Sequence, residues 1–322
     1  MRSVCPAFFT EYVRPIIFGP YCKMAEKVHI VTVATESKYY FPYLQQSCER
    51  HGVPLEVLGM GEKWEGFNWR YLKMIEYLKS IPENDIVCFV DGYDVICCRD
   101  LKEIPAEFKR IQKETGCKMI VGNDVHHFYF TKVLVGYFYF GKCNDKLLNA
   151  GTYVGYSKDI LNIVESIRKL NSSNIADDQQ LLTEYCNANP SDIHIDDNNS
   201  LFLVMDAPFT NIKELVEMKN GREIHYNSNQ PFFVHAPGGG FLDELIHDLE
   251  YDIELGVISN KILYEIIDKY VRNYILRLLK EYWLRFLLAF LLLVVVVFVV
   301  RTRSFKRTAE NVVRKIRRYT KR

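Results

Sequence analysis

The feature that most constrains the fold is an alternation of apolar, β-branched runs with amphipathic segments between residues 28 and 122. Runs such as VHIVTVAT, DIVCFV and CKMIVG are almost continuously apolar, whereas NWRYLKMIEYLKSI places apolar residues about one helical turn apart. Continuous apolar strands that alternate with amphipathic helices are typical of parallel strands covered by helices on both faces. This region therefore predicts a Rossmann-type α/β unit.

The second half of the chain predicts less regular structure around the same sheet. Helices are expected in KDILNIVESIRKL and DDQQLLTEYCNA, and short strands in TYVGYS, DIHI, LFLVM, EIHYN and FFVHA. These strands would turn the parallel sheet into a mixed one. We expect one α/β domain over residues 28–250, preceded by an N-terminal extension (1–27) and followed by a helical connector (251–282).

Residues 283–300, WLRFLLAFLLLVVVVFVV, contain a single charged residue, Arg285. As a helix they would reach roughly 27 Å, close to the ~30 Å hydrocarbon thickness of a bilayer, and they predict a transmembrane anchor. The tail after them (301–322) has ten Lys/Arg and one Glu, a charge of +9, which leaves −8 for the other 300 residues of a chain with a net charge of +1. An acidic body argues against nucleic acid as a partner.

The sequence gives two indications about membrane orientation, and they disagree. The basic tail would be cytosolic by the positive-inside rule, which places the body in the lumen of the endoplasmic reticulum or Golgi. The N-terminus has no uninterrupted apolar core of a signal peptide, because Glu11, Arg14 and Pro15 interrupt it. The nine cysteines are irregularly spaced and predict reduced, buried thiols. We expect a single-pass membrane protein with a cytosol-facing body, and keep a lumenal body as the alternative.

In the stretch NDIVCFVDGYDVICC, an apolar run that predicts a buried strand is followed directly by two carboxylates, Asp91 and Asp94. Neighbouring carboxylates repel each other, and a divalent cation such as Mg²⁺ or Mn²⁺ neutralises them and binds substrate phosphates. In open α/β sheets, ligands bind beyond the carboxyl ends of the strands, where these residues lie. An ordinary turn explains the same pattern. An aspartyl-phosphate phosphatase is a further alternative, although that chemistry requires an acid at position 93, which is tyrosine.

A second candidate stretch, PFFVHAPGGGF, ends a predicted strand at His235 and continues into Gly238 and Gly239. A neutral imidazole suits Mn²⁺ as a third protein ligand, and glycines let backbone amides approach phosphate oxygens. A structural histidine followed by a hairpin turn is the competing interpretation.

Polar residues at the starts of other elements complete the set of candidates. Asp177 and Gln180 form a capping-box pattern, so Asp178 would be left to bind sugar hydroxyls. Asn149 lies at the start of a strand, Trp64 could flank a base or sugar, and Arg70 could meet phosphate. Surface turns or loops would explain each of these residues equally well.

Taken in order, VTVAT, VLGMGEKWEG, FVDGYDVI, LNAGTYVGY, DDQQL and VHAPGG resemble the glycosyltransferase domain of the procollagen lysyl hydroxylases and their viral relatives. The resemblance covers about residues 28–250 and implies a GT-A fold, a UDP-sugar donor, and Mn²⁺, or Mg²⁺ in its place, held by Asp91, Asp94 and His235. Where relatives have HGNGP, this chain has HAPGGG. The donor-binding residues that the resemblance implies are Thr35, Trp64, Arg70, Asp91, Gly92, Gly238 and Gly239; those facing the sugar or acceptor are Asn149, Asp177 and Asp178.

The function implied by this resemblance is transfer of a hexose from UDP-glucose or UDP-galactose to a hydroxyl acceptor on a protein or glycan, with retention at the anomeric carbon. The alternative is a catalytically weak, nucleotide-sugar-binding membrane protein on the same fold. Nucleotide-sugar binding without transfer would distinguish that alternative.

Overall fold

The computed structural model describes residues 26–170 and 177–270, and scattered positions beyond residue 270. The strands are β1 (Val28–Val33), β2 (Leu55–Leu58), β3 (Ile86–Val90), β4 (Val95–Cys97), β5 (Met119–His126), β6 (Leu148–Tyr156), β7 (Ile193–Asp196), β8 (Phe202–Asp206), β9 (Glu217–Lys219), β10 (Glu223–His225) and β11 (Phe233–His235). The helices are α1 (Phe41–Arg50), α2 (Phe67–Ser80), α3 (Ile104–Thr115), α4 (Tyr129–Thr131), α5 (Ser157–Leu170), α6 (Asp178–Ala188), α7 (Asp243–Asp248) and α8 (Val257–Tyr270). A π-helix, Lys132–Phe140, continues α4, and 3₁₀ turns lie at Leu101–Glu103, Ile212–Leu215 and Pro237–Gly239.

Nine of the described strands form one mixed sheet, with the order β2-β1-β3-β6-β5-β8-β11-β4 and with β7 paired to β5. Strand β6 runs antiparallel to both β3 and β5, and β4 runs antiparallel to β11, whereas the other pairs are parallel. Strands β9 and β10 form a separate hairpin. The prediction of a mixed α/β fold is confirmed.

Helices cover both faces of this sheet, as the apolar runs predict. One core cluster joins α2, α5 and α6 to side chains such as Val87 and Phe89 of β3. A second core cluster joins α1 and α3 to the alternate side chains of the same strand, Ile86, Cys88 and Val90. Strand β3 is therefore buried on both faces, and the chain can present polar groups only where the strand ends.

Two cysteines correct the prediction of uniformly reduced thiols. Cys143 and Cys186 form a disulfide that joins the segment before β6 to helix α6. Spacing along the chain could not indicate this pair, because the two residues are 43 positions apart and meet only in the folded sheet. The described free cysteines are buried, namely Cys48, Cys88, Cys97, Cys98 and Cys117, while Cys5 and Cys22 lie outside the described residues.

In the part of the chain that the structure describes, no helix combines the length and apolar character needed for a bilayer span. The predicted anchor, 283–300, is described only at some positions, and nearly all of the N-terminal extension and the basic tail lies outside the described residues. The anchor and the membrane orientation stay predictions.

Candidate active site

Two acids and an imidazole converge at the carboxyl edge of the sheet. Asp91 and Asp94 follow β3, and His235 ends β11, where its register partner on β4 is Val95, next to Asp94. The Nε2 atom of His235 lies 3.1 Å from Oδ1 of Asp94 and 3.8 Å from Oδ2 of Asp91. The imidazole is 1% exposed, whereas each carboxylate is about one third exposed, at 33% and 32%. The cluster therefore opens to solvent on the carboxylate side.

Among the described residues, neither Nδ1 nor Nε2 of the buried His235 imidazole makes a well-aligned hydrogen bond, and Nε2 has only the 3.1 Å ion-pair contact with Asp94. Buried polar atoms are almost always hydrogen-bonded, so a ring without such bonds is a candidate to bind a metal ion. Burial lowers the pKa of His235, but the charges of Asp94 and Asp91 and the proximity of Asp94 outweigh it and raise the pKa. Two carboxylates and an imidazole whose ligand atoms lie within 4.8 Å of one another fit a divalent cation.

Gly151 of β6 keeps the centre of this cluster free of side-chain atoms. Its carbonyl accepts a hydrogen bond from the backbone N–H of Asp91 at 2.8 Å, which fixes the start of the acidic turn. A Cβ built on Gly151 would lie 2.6 Å from Cε1 of His235 and closer still to Oδ2 of Asp91. Any larger residue would therefore compete for the space between the two side chains.

A cleft of about 360 Å³ leads away from the carboxylates toward the end of β1. Trp64 is 45% exposed there, and its ring meets those of Phe67 and Trp69 edge to face, at 5.7 and 5.6 Å. The backbone N–H of Thr35 donates to the Tyr93 hydroxyl at 3.0 Å. The cleft brings together five predicted donor-binding residues: Thr35, Trp64, Arg70, Asp91 and Gly92. Its volume lies within the range of small-molecule binding pockets.

Arg70 is engaged by two carboxylates. Its Nη1 atom lies 2.8 Å from Oδ1 of Asp91, and its Nη2 atom pairs with Oδ2 of Asp178. The guanidinium side chain is 7% exposed. In this structure Arg70 therefore links the end of β3 to the first turn of α6 and orients Asp91, so its predicted contact with phosphate stays a prediction.

Gly238 and Gly239, whose backbone amides were predicted to approach phosphate oxygens, do not line this cleft. Gly239 lines a second cavity of about 480 Å³, together with Tyr93, Asp94 and residues of α8. Gly238 and Gly239 have φ angles of +72° and +92°, a conformation that favours glycine. A Cβ on Gly239 would lie 2.5 Å from Cδ1 of Ile266, so helix α8 packs directly on the loop.

A sequence model of the PLOD GT domain matches residues 24–245, which is more than half of the chain. The chain belongs to the PLOD GT-domain family. The expected resemblance to this family is confirmed. The matched region contains Asp91, Asp94 and His235 and all the residues that line the 360 Å³ cleft.

Relatives of this PLOD GT-domain chain include animal and viral proteins. It is 26% identical over 251 residues to the multifunctional procollagen lysine hydroxylase and glycosyltransferase of Caenorhabditis elegans, covering 70% of this chain and 32% of the relative. It is 24% identical over 216 residues to the uncharacterized protein R699 of Acanthamoeba polyphaga mimivirus, covering 64% and 44%. A solved glycosyltransferase involved in glycosylation of the PBCV-1 major capsid is 15% identical, with a TM-score of 0.40 and coverage of 70% and 98%. The chain spans about a third of the length of the animal relatives.

The three residues predicted to face the sugar or acceptor in this PLOD GT domain have different environments. Asn149 is 5% exposed, accepts a hydrogen bond from the backbone of Gly151 at 2.9 Å and donates to Gln179 at 3.3 Å. Asp177 is the N-cap of α6 and accepts from the backbone of Gln179 at 2.9 Å. Gln180, the other member of the predicted capping box, donates through its side-chain amide to the Tyr139 carbonyl. Asp178 pairs with Arg70, as described above.

Sequence reasoning missed a second polar cluster beside the first. The Nε2 atom of His126 lies 3.3 Å from Asp124, and its Nδ1 atom lies 3.0 Å from Asp206. Burial lowers the pKa of His126, but these two acids outweigh burial and raise it to about 9. Gln179 donates to Asp124 at 3.3 Å and so joins this cluster to Asn149. Only β5–β8 pairing brings His126 and Asp206 together, so no local motif indicated them.

Replacing Arg70 with methionine is expected to destabilise the PLOD GT domain by about 3 kcal/mol, because it leaves a buried carboxylate without its partner. Urea denaturation of this variant and of the wild type would measure the difference in the free energy of unfolding. Arg110→Met is the matched control, since Arg110 is half exposed and pairs with Glu107 and Glu114 on the surface; we expect less than about 1 kcal/mol. Equal losses in the two variants would contradict the orienting role of Arg70.

Proposed function

We propose that this chain is a divalent-cation-dependent hexosyltransferase of GT-A type. It would transfer glucose or galactose from UDP-glucose or UDP-galactose to a hydroxyl group on a protein or glycan, with retention at the anomeric carbon. Membership of the PLOD GT-domain family supports glycosyl transfer. The donor sugar, the cation and the stereochemistry belong to the proposal.

The observation that carries the proposal is the buried, orphaned imidazole of His235 facing Asp91 and Asp94. These three side chains would hold Mn²⁺, or Mg²⁺ in its place. When bound, the cation would supply positive charge to the diphosphate of the departing UDP. An aspartyl-phosphate phosphatase would need an acid at position 93, and that residue is a tyrosine whose hydroxyl accepts a hydrogen bond from the backbone N–H of Thr35.

The residues of the chain would position the donor without forming a bond to it. Trp64 offers an exposed ring for the base, and Arg70 keeps Asp91 oriented toward the cluster. Asn149 is linked to Asp91 through the backbone of Gly151, and Asp178 is linked to it through their shared partner Arg70; in the proposal these two residues would bind sugar hydroxyls. The cleft and the second cavity both have Tyr93 and Asp94 in their linings, so the second cavity would give the acceptor a separate route to Asp94.

A donor screen tests this function. Free UDP would be measured with the full chain, Mn²⁺ and a panel of UDP-sugars, with UDP-N-acetylglucosamine and GDP-mannose as mismatched donors. We expect Mn²⁺-dependent UDP release from UDP-glucose or UDP-galactose. If these donors bind but no UDP is released with any added acceptor, the result would favour the catalytically weak alternative. Release of phosphate from generic phosphate esters would favour a phosphatase.

Trp64→Ala is expected to raise the KM for the UDP-sugar about tenfold while changing kcat little, because a stacked base contributes about 1–3 kcal/mol of binding. Initial-rate kinetics at saturating Mn²⁺ would measure this. Leu170→Ala is the control, since Leu170 is 42% exposed and lines neither the cleft nor the second cavity. A KM that Trp64→Ala leaves unchanged would remove Trp64 from the donor site.

The membrane anchor and the orientation of the body are part of the proposal. The Cys143–Cys186 bond supports the lumenal alternative, because such bonds persist in oxidising compartments. To test this, membranes that contain the protein would be lysed in the presence of a thiol-alkylating reagent. Mass spectrometry would then show which cysteines carry the alkyl group. We expect these two cysteines to be protected; alkylation of both without prior reduction would favour the cytosol-facing orientation.

A further inference from the structure

A short segment beside the candidate active site exposes an unusual amount of apolar surface. We call residues 128–140, helix α4 and the π-helix after it, the aromatic segment. Seven of its large apolar side chains are exposed: Phe128 43%, Tyr129 80%, Phe130 72%, Leu134 47%, Val135 37%, Phe138 79% and Tyr139 55%. Single exposed apolar residues are common on soluble proteins, but a contiguous group of this kind marks an interaction surface.

The inner side of the aromatic segment is fixed to the domain. Gly136 is buried, and a Cβ there would lie 2.7 Å from Leu147 and 3.0 Å from Nε2 of His126. The carbonyl of Tyr139 accepts a hydrogen bond from Gln180 of α6 at 2.7 Å. The segment is thus held on one side by the polar cluster next to the candidate active site, and its rings face outward on the other.

The composition of the aromatic segment favours a lipid bilayer over a glycan as its partner. Its sequence, FYFTKVLVGYFYF, contains no Asp, Glu, Asn, Gln or Arg, the residues that usually bind sugar hydroxyls on a glycan-binding surface. Its one charge is Lys132, and Lys142 follows shortly after, so both charged side chains of residues 128–142 are cationic. Phenylalanine, tyrosine and aliphatic side chains with lysine at the margin match the interface of an anionic bilayer.

We propose that the aromatic segment inserts into the interfacial layer of an anionic lipid membrane, so that the candidate active site faces the membrane surface. The lysines would lie at the level of the headgroups and the exposed rings below them. This contact is separate from glycosyl transfer and from the predicted C-terminal anchor. It places hydroxyl acceptors that are held at, or linked to, the bilayer within reach of the site, and that consequence rests on the proposed function.

Site-specific photocrosslinking tests this proposal on the full chain. Benzoylphenylalanine would replace Phe130 or Phe138 in protein reconstituted in nanodiscs of phosphatidylcholine alone or with phosphatidylserine. Lys113 is the control position: it is exposed at the end of α3, which leads into the start of β5, whereas the aromatic segment follows the end of that strand. Substitution at these exposed positions leaves the core intact.

We expect lipid adducts at positions 130 and 138, several-fold more than at 113, and a higher yield with phosphatidylserine. Adducts only to another segment of the same chain, to a second copy or to an added glycan acceptor would overturn the proposal. So would lipid adducts in equal yield at all three positions. Because the readout is crosslinking rather than turnover, a failed donor screen would leave this result interpretable.

Discussion

Replacing Asp94 with asparagine is expected to lower metal-dependent UDP-sugar turnover by about 10³-fold, because the substitution removes one charged ligand while keeping the shape of the side chain. Charge stabilisation by a bound cation contributes several kcal/mol, and each ~1.4 kcal/mol corresponds to a factor of ten in rate. Asp94 is the acid nearest to the imidazole, with Oδ1 3.1 Å from Nε2 of His235. Its loss would leave that buried ring beside a single acid that Arg70 already engages.

Free UDP, measured over a range of Mn²⁺ concentrations, would quantify the effect of Asp94→Asn. Asp197→Asn is the matched control, because Asp197 is an exposed acid that pairs with Lys146 outside the cleft. We expect the control to retain wild-type turnover. Turnover by Asp94→Asn equal to that of the wild type at saturating Mn²⁺ would remove this acid from the proposed cation site.

Gly151→Ala should be nearly as damaging as loss of an acid, although it adds only one methyl group. That methyl group would occupy the space between Oδ2 of Asp91 and Cε1 of His235, so one of the two must move. Displacement of a reacting group by about 1 Å can cost about 100-fold in rate. The backbone of Gly151 tolerates alanine, since its φ is not in the left-handed region.

The measurement for Gly151→Ala is the rise in thermal midpoint on adding Mn²⁺, together with turnover. Gly155→Ala is the control on the same strand: its Cβ would lie 2.8 Å from the Lys118 carbonyl, away from the acids. Both variants are expected to lose some stability through overpacking, but only Gly151→Ala should lose the Mn²⁺ response. A full Mn²⁺ response in Gly151→Ala would show that the space is not needed.

Much of this fold could be predicted because its elements are encoded locally. The apolar run of β3 and the pair Asp91 and Asp94 stand within a few residues of one another, so their place at the sheet edge followed from the parallel-sheet rule. His235 lies far along the chain, and its place beside them was predicted from family resemblance. Register with β4 and β8 brings it there.

Features that depend on tertiary contacts could not be predicted in the same way. The clamp between Arg70 and Asp178 joins two helices, and the disulfide joins a loop to α6. The π-helix, 132–140, has no polar–apolar period, because nearly all of its residues are apolar, so its sequence favours neither a helix nor a strand. Its exposed rings became visible only with the fold.

The most direct test of the account is calorimetric titration of UDP into the wild-type chain, once with Mn²⁺ and once with EDTA. If Asp91, Asp94 and His235 hold a cation that binds the diphosphate, UDP should bind with Mn²⁺ and show no measurable heat of binding with EDTA. UDP binding with the same Kd in both conditions would contradict the account, because the nucleotide would then be held without the cluster's cation.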